Sequence, residues 1–260
     1  MNVSIWRVCL TGSQKLEAAT SSFCISRSRL PGSAAIVASR ASLAVTQAFV
    51  AAARVGRDNK NTVTFNEHDE LTSLVQPGRL WSRAEILAEP CPIPRSPGVY
   101  AWFFREIPPL VSVTGSIERE GLTLLYVGIS PKKPTPGKKP SSEHIQSRIC
   151  YHMGKTGREN ANGSTLRMTL GCLLSGTLGI RLSRPGNRFT FGPGEAVLSD
   201  WLGRNALVAW MVHPEPWLIE DRAIAGLDLP LNLMGNGRHP FYRILKSVRS
   251  RAKAAARTSA

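Results

Sequence analysis

With 260 residues, 42% hydrophobic and 20% charged, the chain carries enough apolar material for one domain of ordinary size plus a tail. Its 33 Lys plus Arg against 18 Asp plus Glu leave a formal charge of +15, an excess that points to a polyanionic partner, nucleic acid first. The five cysteines, Cys9, Cys24, Cys91, Cys150 and Cys172, include no close pair, which argues against a disulfide framework or a Cys-built zinc site and predicts a reducing, cytoplasmic setting. No apolar run reaches the roughly 18 residues of a membrane span, so no membrane partner is expected.

From Met1 to about Lys60 the chain is rich in Ser, Ala and Arg, with only Glu17 and Asp58 as acids. That composition resembles an organellar presequence, and equally an over-extended N-terminal reading or a plain disordered tail. Residues 1–65 are therefore read as a disordered or leader segment, and 66–256 as the folded domain. Leu80, Trp81, Ala84, Ile86 and Leu87 have helical spacing, with Ser82 available as a cap.

Gly98 to Arg105 (GVYAWFFR) and Leu122 to Ile129 (LTLLYVGI) are short aromatic and β-branched runs bounded by Pro and Gly, as strands are. The polar connection Glu106 to Gly121 suits a long hairpin loop, which predicts antiparallel pairing. After the Lys/Pro/Gly loop Pro131 to Pro140, a helix is predicted from Glu143 to Met153, capped by Ser142. Ser164 reads as the cap of a second helix, Leu166 to Leu174, and Ile180 to Phe191 as a hairpin turning at Pro185, Gly186 and Asn187.

Ala196 to Arg204 is predicted helical, Ala206 to Val212 a buried strand, Pro216 to Leu227 an amphipathic helix, and Phe241 to Ala256 a basic closing helix. The fold class is α/β (α+β): a small central antiparallel sheet flanked by helices. Trp201, Trp210 and Trp217 fall in apolar patterns and are read as core. His144, His213 and His239 are too widely spread to form a zinc site by spacing.

Taken singly, GVY at Gly98 to Tyr100 and YVG at Tyr126 to Gly128 are common tripeptides. Arg148 and His152 (RICYH) come after them, one helical turn apart, and Glu220 (PWLIEDR) and Asn232 (LPLN) come later still. In that order and by residue type, the set resembles the GIY-YIG nuclease superfamily, the two tripeptides standing for its signature strands with Val for Ile in both. The Glu106 to Gly121 connection is longer than the short hairpin of most members.

The resemblance implies a metal-dependent endonuclease hydrolysing phosphodiester bonds, in DNA rather than RNA. It makes Tyr100 the general base, provided that adjacent positive charge lowers its ordinary pKa of about 10. Arg148 would stabilise phosphoryl charge, and Glu220 would hold Mg²⁺ or Mn²⁺. Tyr126 would orient water or phosphate, His152 would relay a proton or brace Tyr100, and Asn232 would hold the site's loops. Lys132, Lys133, Lys138 and Lys139, in the loop after the YVG strand, are candidates for tracking a phosphate backbone or form a solvated loop. The rival reading is a non-catalytic nucleic-acid-binding protein that retains the fold, for which the charge alone would be reason enough.

Overall fold

The computed structural model describes residues 67–137 and 141–258. The predicted leader, like Lys138 and Lys139, lies outside the described residues.

Helix α1 (Glu67–Val75) buries Leu74 and Val75. Helix α2 (Arg83–Leu87) starts at Ser82, which forms a capping box with Glu85: the Ser82 amide donates to Glu85 Oε2 at 2.8 Å. Four strands come next in the description, β1 (Gly98–Phe104), β2 (Glu118–Arg119), β3 (Leu122–Ser130) and β4 (Ala206–Val212), in the order β2-β3-β1-β4 with every pair antiparallel. The antiparallel pairing of the GVY and YVG strands is thus as the long connection predicts. Leu80 and Trp81 do not join α2, because Trp81 exchanges backbone hydrogen bonds with Val208 at 2.9 and 3.0 Å and so lies against β4.

Every residue of β1 is buried, which marks it as a central strand covered on both faces. Tyr100, Trp102 and Phe104 face one core and Val99, Ala101 and Phe103 the other, by the period-two alternation of a strand. The first core is closed by α2, α3 (Ile145–Met153), α4 (Thr165–Leu173), α6 (Gly194–Asn205) and α8 (Tyr242–Thr258). A one-turn helix, α5 (Ser175–Leu178), follows α4. The second core is closed by α1 and α7 (Pro216–Gly226), and each large aromatic or Leu so buried contributes about 1.5–3 kcal/mol.

β3 contains a bulge. Trp102 pairs with Tyr126, but Phe103 pairs with Leu124, leaving Leu125 as the extra residue. In a regular strand Leu122, Leu124 and Tyr126 would share a face; here the two leucines enter the second core and Tyr126 the first, beside Tyr100.

Two local expectations are corrected. The cap of α3 is His144, whose Nδ1 accepts from the Ser147 amide at 3.1 Å, and not Ser142, because the Ile145 amide bonds Ser96 O at 3.0 Å and pins the helix start against β1. The expected hairpin over 180–191 is reduced to one bridge, Ser183 to Thr190. It ends there because Phe191 turns into the core, where its ring lies against Gly171, and its amide donates to Glu195 Oε1 at 3.0 Å.

Candidate active site

Tyr100 on β1 and Gly128 on β3 are register partners, and the tyrosine ring lies across the glycine. A Cβ at Gly128 would stand 2.7 Å from the Tyr100 hydroxyl and 2.8 Å from two ring carbons, so the last residue of YVG is a glycine for reasons of space. Gly98, the first residue of GVY, is enclosed in the same way by the Met211 carbonyl and by Ile145. The two glycines let α3 and the Tyr100 ring close on the sheet, and the bulge brings Tyr126 to the same face.

α3 supplies the next groups. Its His152 is fully buried, with Nε2 3.0 Å from the Tyr100 hydroxyl and Nδ1 2.7 Å from Ser164 Oγ. Ser164 caps α4 as predicted, accepting from the Arg167 amide at 3.0 Å, and the bond to His152 is a second task that its sequence context does not signal. Burial, reinforced by the charges of Arg148 and Arg167, holds His152 well below the usual histidine value, so the ring is neutral. Burial likewise pushes Tyr100 well above the usual tyrosine value, with Tyr126 adding to the rise and Arg148 opposing it. The expected lowering by adjacent positive charge is present but is outweighed by desolvation.

Arg148 is half-buried and donates to the Gly163 carbonyl at 2.8 Å. Burial works against its charge, but the oxygens of Tyr100, Tyr126 and Glu143 outweigh that effect and raise its pKa. Among the described residues it has no carboxylate in ion-pair contact. Tyr126 is pushed up to about 12, first by burial and then by the charge of Glu220.

Glu220 comes from α7, on the other side of the sheet, and is half-buried. Burial and the neighbouring Asp221 push it up to about 7, with Lys132 acting in the opposite direction. Lys132 and Lys133 are exposed on the loop after β3. Asn232 is buried and takes the place of a neighbouring strand: its Oδ1 accepts from the Val127 amide at 3.0 Å and its Nδ2 donates to the Val127 carbonyl at 2.8 Å. That pair of bonds fixes the backbone between Tyr126 and Gly128.

Behind His152 lies a buried ion pair that the sequence does not announce. Arg167 is 0% exposed and its guanidinium uses all its nitrogens: Nε and Nη2 to Glu195 Oε2 at 3.1 and 2.8 Å, Nη2 also to Glu195 O, and Nη1 to His152 O and Ser199 Oγ. Glu195 Oε1 in turn accepts from Ala161 N, Thr190 Oγ1 and Phe191 N. The pair ties α3, α4, α6 and the loops between them into one support for the imidazole. The signal available in the sequence is an arginine inside an otherwise apolar helix, LRMTLGCLL.

The site therefore unites two tyrosines, an arginine and a neutral histidine on one face, a carboxylate at the sheet's other side whose charge acts on both tyrosines, and a bracing amide. The sequence model of the GIY-YIG catalytic domain matches residues 98–251. The chain belongs to the GIY-YIG family, so the domain is of the nuclease type, a hydrolase class that handles nucleic acid. No match is found among curated proteins or among solved structures. Among the described residues no helix is long and apolar enough to cross a membrane.

Proposed function

We propose that this chain is a divalent-metal-dependent endonuclease that hydrolyses phosphodiester bonds in DNA. The observation that carries the reading is the hydrogen bond between Tyr100 and the neutral His152, beside an arginine with no carboxylate in ion-pair contact among the described residues. With Nδ1–H donated to Ser164, His152 Nε2 accepts the Tyr100 proton. The tyrosine oxygen then takes a proton from the attacking water as its own passes to the imidazole, and so a phenol of high pKa acts as a base without first ionising in a buried place.

Arg148 turns its remaining donors to the non-bridging oxygens, where charge-assisted bonds gain most as negative charge builds. Tyr126 orients water or phosphate, and Asn232 keeps the YVG backbone in place. Lys132 and Lys133, with Lys138 and Lys139 beyond them, follow the phosphate backbone in a salt-dependent way.

Glu220 is the residue that would hold Mg²⁺ or Mn²⁺. Its half-buried carboxylate, raised to about 7, has no hydrogen-bond or ion-pair contact among the described residues, and a cation would replace the solvation it lacks. Among the described residues there is no group of three or more His, Cys, Asp and Glu that could hold a metal, so the ion would keep most of its waters, as Mg²⁺ readily does. When bound, it supplies positive charge to the phosphoryl and leaving oxygens. The described cysteines, Cys91, Cys150 and Cys172, are all free, which suits a reducing cytoplasmic setting.

The test compares wild type with Glu220→Ala and Tyr100→Phe on labelled plasmid, single-stranded and branched DNA and on RNA, with Mg²⁺ or Mn²⁺ and with EDTA. Cleavage abolished by EDTA and by both substitutions is expected. Cleavage by Glu220→Ala at the wild-type rate refutes the metal assignment, and binding without cleavage across the panel favours the inactive-fold rival.

A further inference from the structure

α8 carries Arg243, Lys246, Arg249, Arg251, Lys253 and Arg257 and no acid, and the loop from Arg181 to Pro193 carries Arg181, Arg184 and Arg188 and again no acid. Lys246, Arg249, Lys253 and Arg257, at i, i+3, i+7 and i+11, form one helical row. The row spans about 16 Å at 1.5 Å per residue. None of its members has an ion pair among the described residues, although like charges at this spacing weaken a helix.

The two middle members of the row, Arg249 and Lys253, are half-buried. Arg249 donates to Thr169 Oγ1 of α4 at 3.1 Å. Lys253 and Arg257 stand over the Phe189 ring at 5.4 and 5.5 Å, and Arg184 approaches the same ring at 5.6 Å. Burial, with Arg249 and Arg257 as like-charged neighbours, lowers the Lys253 pKa, and the Arg249 charge acts on the Tyr126 hydroxyl. The row thus comes within electrostatic reach of the candidate site at Arg249 and continues from there along α8.

We propose that this row is a phosphate track that holds the sugar–phosphate backbone of a nucleic-acid strand as it leaves the catalytic face, with Lys246 and Arg257 at its two ends and Arg249 the member whose charge reaches the candidate tyrosines. The inference rests on the nuclease reading for its direction, since that reading puts a phosphodiester at Tyr126. The row's length of about 16 Å matches some four to five phosphates at about 3.4 Å of duplex axis each. An anionic membrane suits it less, because the apolar side of α8, Leu245, Val248, Ala252 and Ala256, is packed on the core, and Ile244 is the one large apolar side chain that the helix leaves exposed among the described residues.

The test measures binding of the full-length chain to a short labelled duplex and to its single strand by anisotropy, in EDTA, between about 50 and 200 mM salt. Lys253→Gln/Arg257→Gln is compared with Arg238→Gln/Arg251→Gln, which removes the same charge from exposed positions off the row. Lys246→Gln/Arg257→Gln, both exposed, repeats the row variant where folding is not at stake. The row variants are expected to weaken binding about tenfold or more and to reduce the slope of log K against log salt by about 2, while the control stays within about threefold.

Equal losses in row and control variants, an unchanged slope, or binding to phosphatidylserine vesicles in preference to DNA overturns the track. If wild type cleaves but the row variants bind like the control, the track fails and the nuclease reading stands. If wild type does not cleave and the row variants alone lose binding, the track stands and the nuclease reading fails.

Discussion

Arg167 and Glu220 are ionisable side chains drawn into the domain on opposite sides of one sheet, and the fold treats them in opposite ways. Around Arg167 every nitrogen is matched, by Glu195, the His152 carbonyl and Ser199. Glu220 has no hydrogen bond or ion pair among the described residues, and its pKa is pushed up to about 7 by burial. A buried charge that is fully partnered supports the architecture; one left without partners keeps its capacity for a ligand. By the same criterion Arg148, with one bond to a carbonyl and no ion pair among the described residues, belongs with Glu220.

The contrast can be broken most forcefully on the Arg167 side. Arg167→Leu leaves the Glu195 carboxylate buried without its cation, and a loss of about 3–5 kcal/mol in urea unfolding is expected, with cleavage lost as well. Arg167→Leu/Glu195→Leu should recover part of that stability, since it removes both charges together. If the single variant unfolds at the wild-type urea midpoint, the pair is not structural.

On the Glu220 side the sign reverses. The folded protein binds this proton more tightly than the unfolded chain does, so the metal-free protein loses stability as pH rises from about 4.5 to about 7, and the loss is complete above that window. Glu220→Gln should therefore leave stability unchanged near pH 4, raise it at pH 8 by up to about 3 kcal/mol, and abolish cleavage. Unfolding curves at the two pH values in EDTA check this; a destabilised variant at pH 8 would mean that Glu220 is held by contacts of its own.

Smaller effects sharpen the same comparison at the tyrosine. Gly128→Ala puts a methyl group against the Tyr100 ring, and a cost of about 1–3 kcal/mol is expected, with cleavage falling more than stability as Tyr100 is pushed from His152. Ser164→Ala removes a helix cap for about 1 kcal/mol and frees His152 Nδ1, whereas Ser164→Thr keeps both bonds and should cleave near the wild-type rate. Stability and rate measured on both variants separate a bracing role from a capping one.

What can be read from the sequence is local. The two strands announce themselves by aromatic and β-branched runs between Pro and Gly, and Arg148 and His152 by the spacing of one helical turn, so the core of the candidate site is legible as an ordered string. Arg167 and Glu195 lie on different helices and meet only after the loop between them closes, and no periodicity records that closure. The cap of α3 is missed for a related reason: Ser142 is the better capping residue by type, but the bond from Ile145 to Ser96 fixes the start of the helix from outside it. The direction of the Tyr100 pKa shift is missed because neighbouring charge can be inferred from a motif, whereas depth of burial cannot.

The extra residue in β3 carries a consequence for the two tyrosines. In terms of phase, β3 is two strands spliced at Leu125: the half that pairs with β2 keeps step with Leu122 and Leu124, and the half that carries Tyr126 and Gly128 keeps step with Tyr100. A splice isolates one half from the other's count. The pairing with β2 and the leucines of the second core can therefore set the phase of the first half while β1 alone sets that of the second, and the two tyrosines share a face that an unbroken strand would deny them.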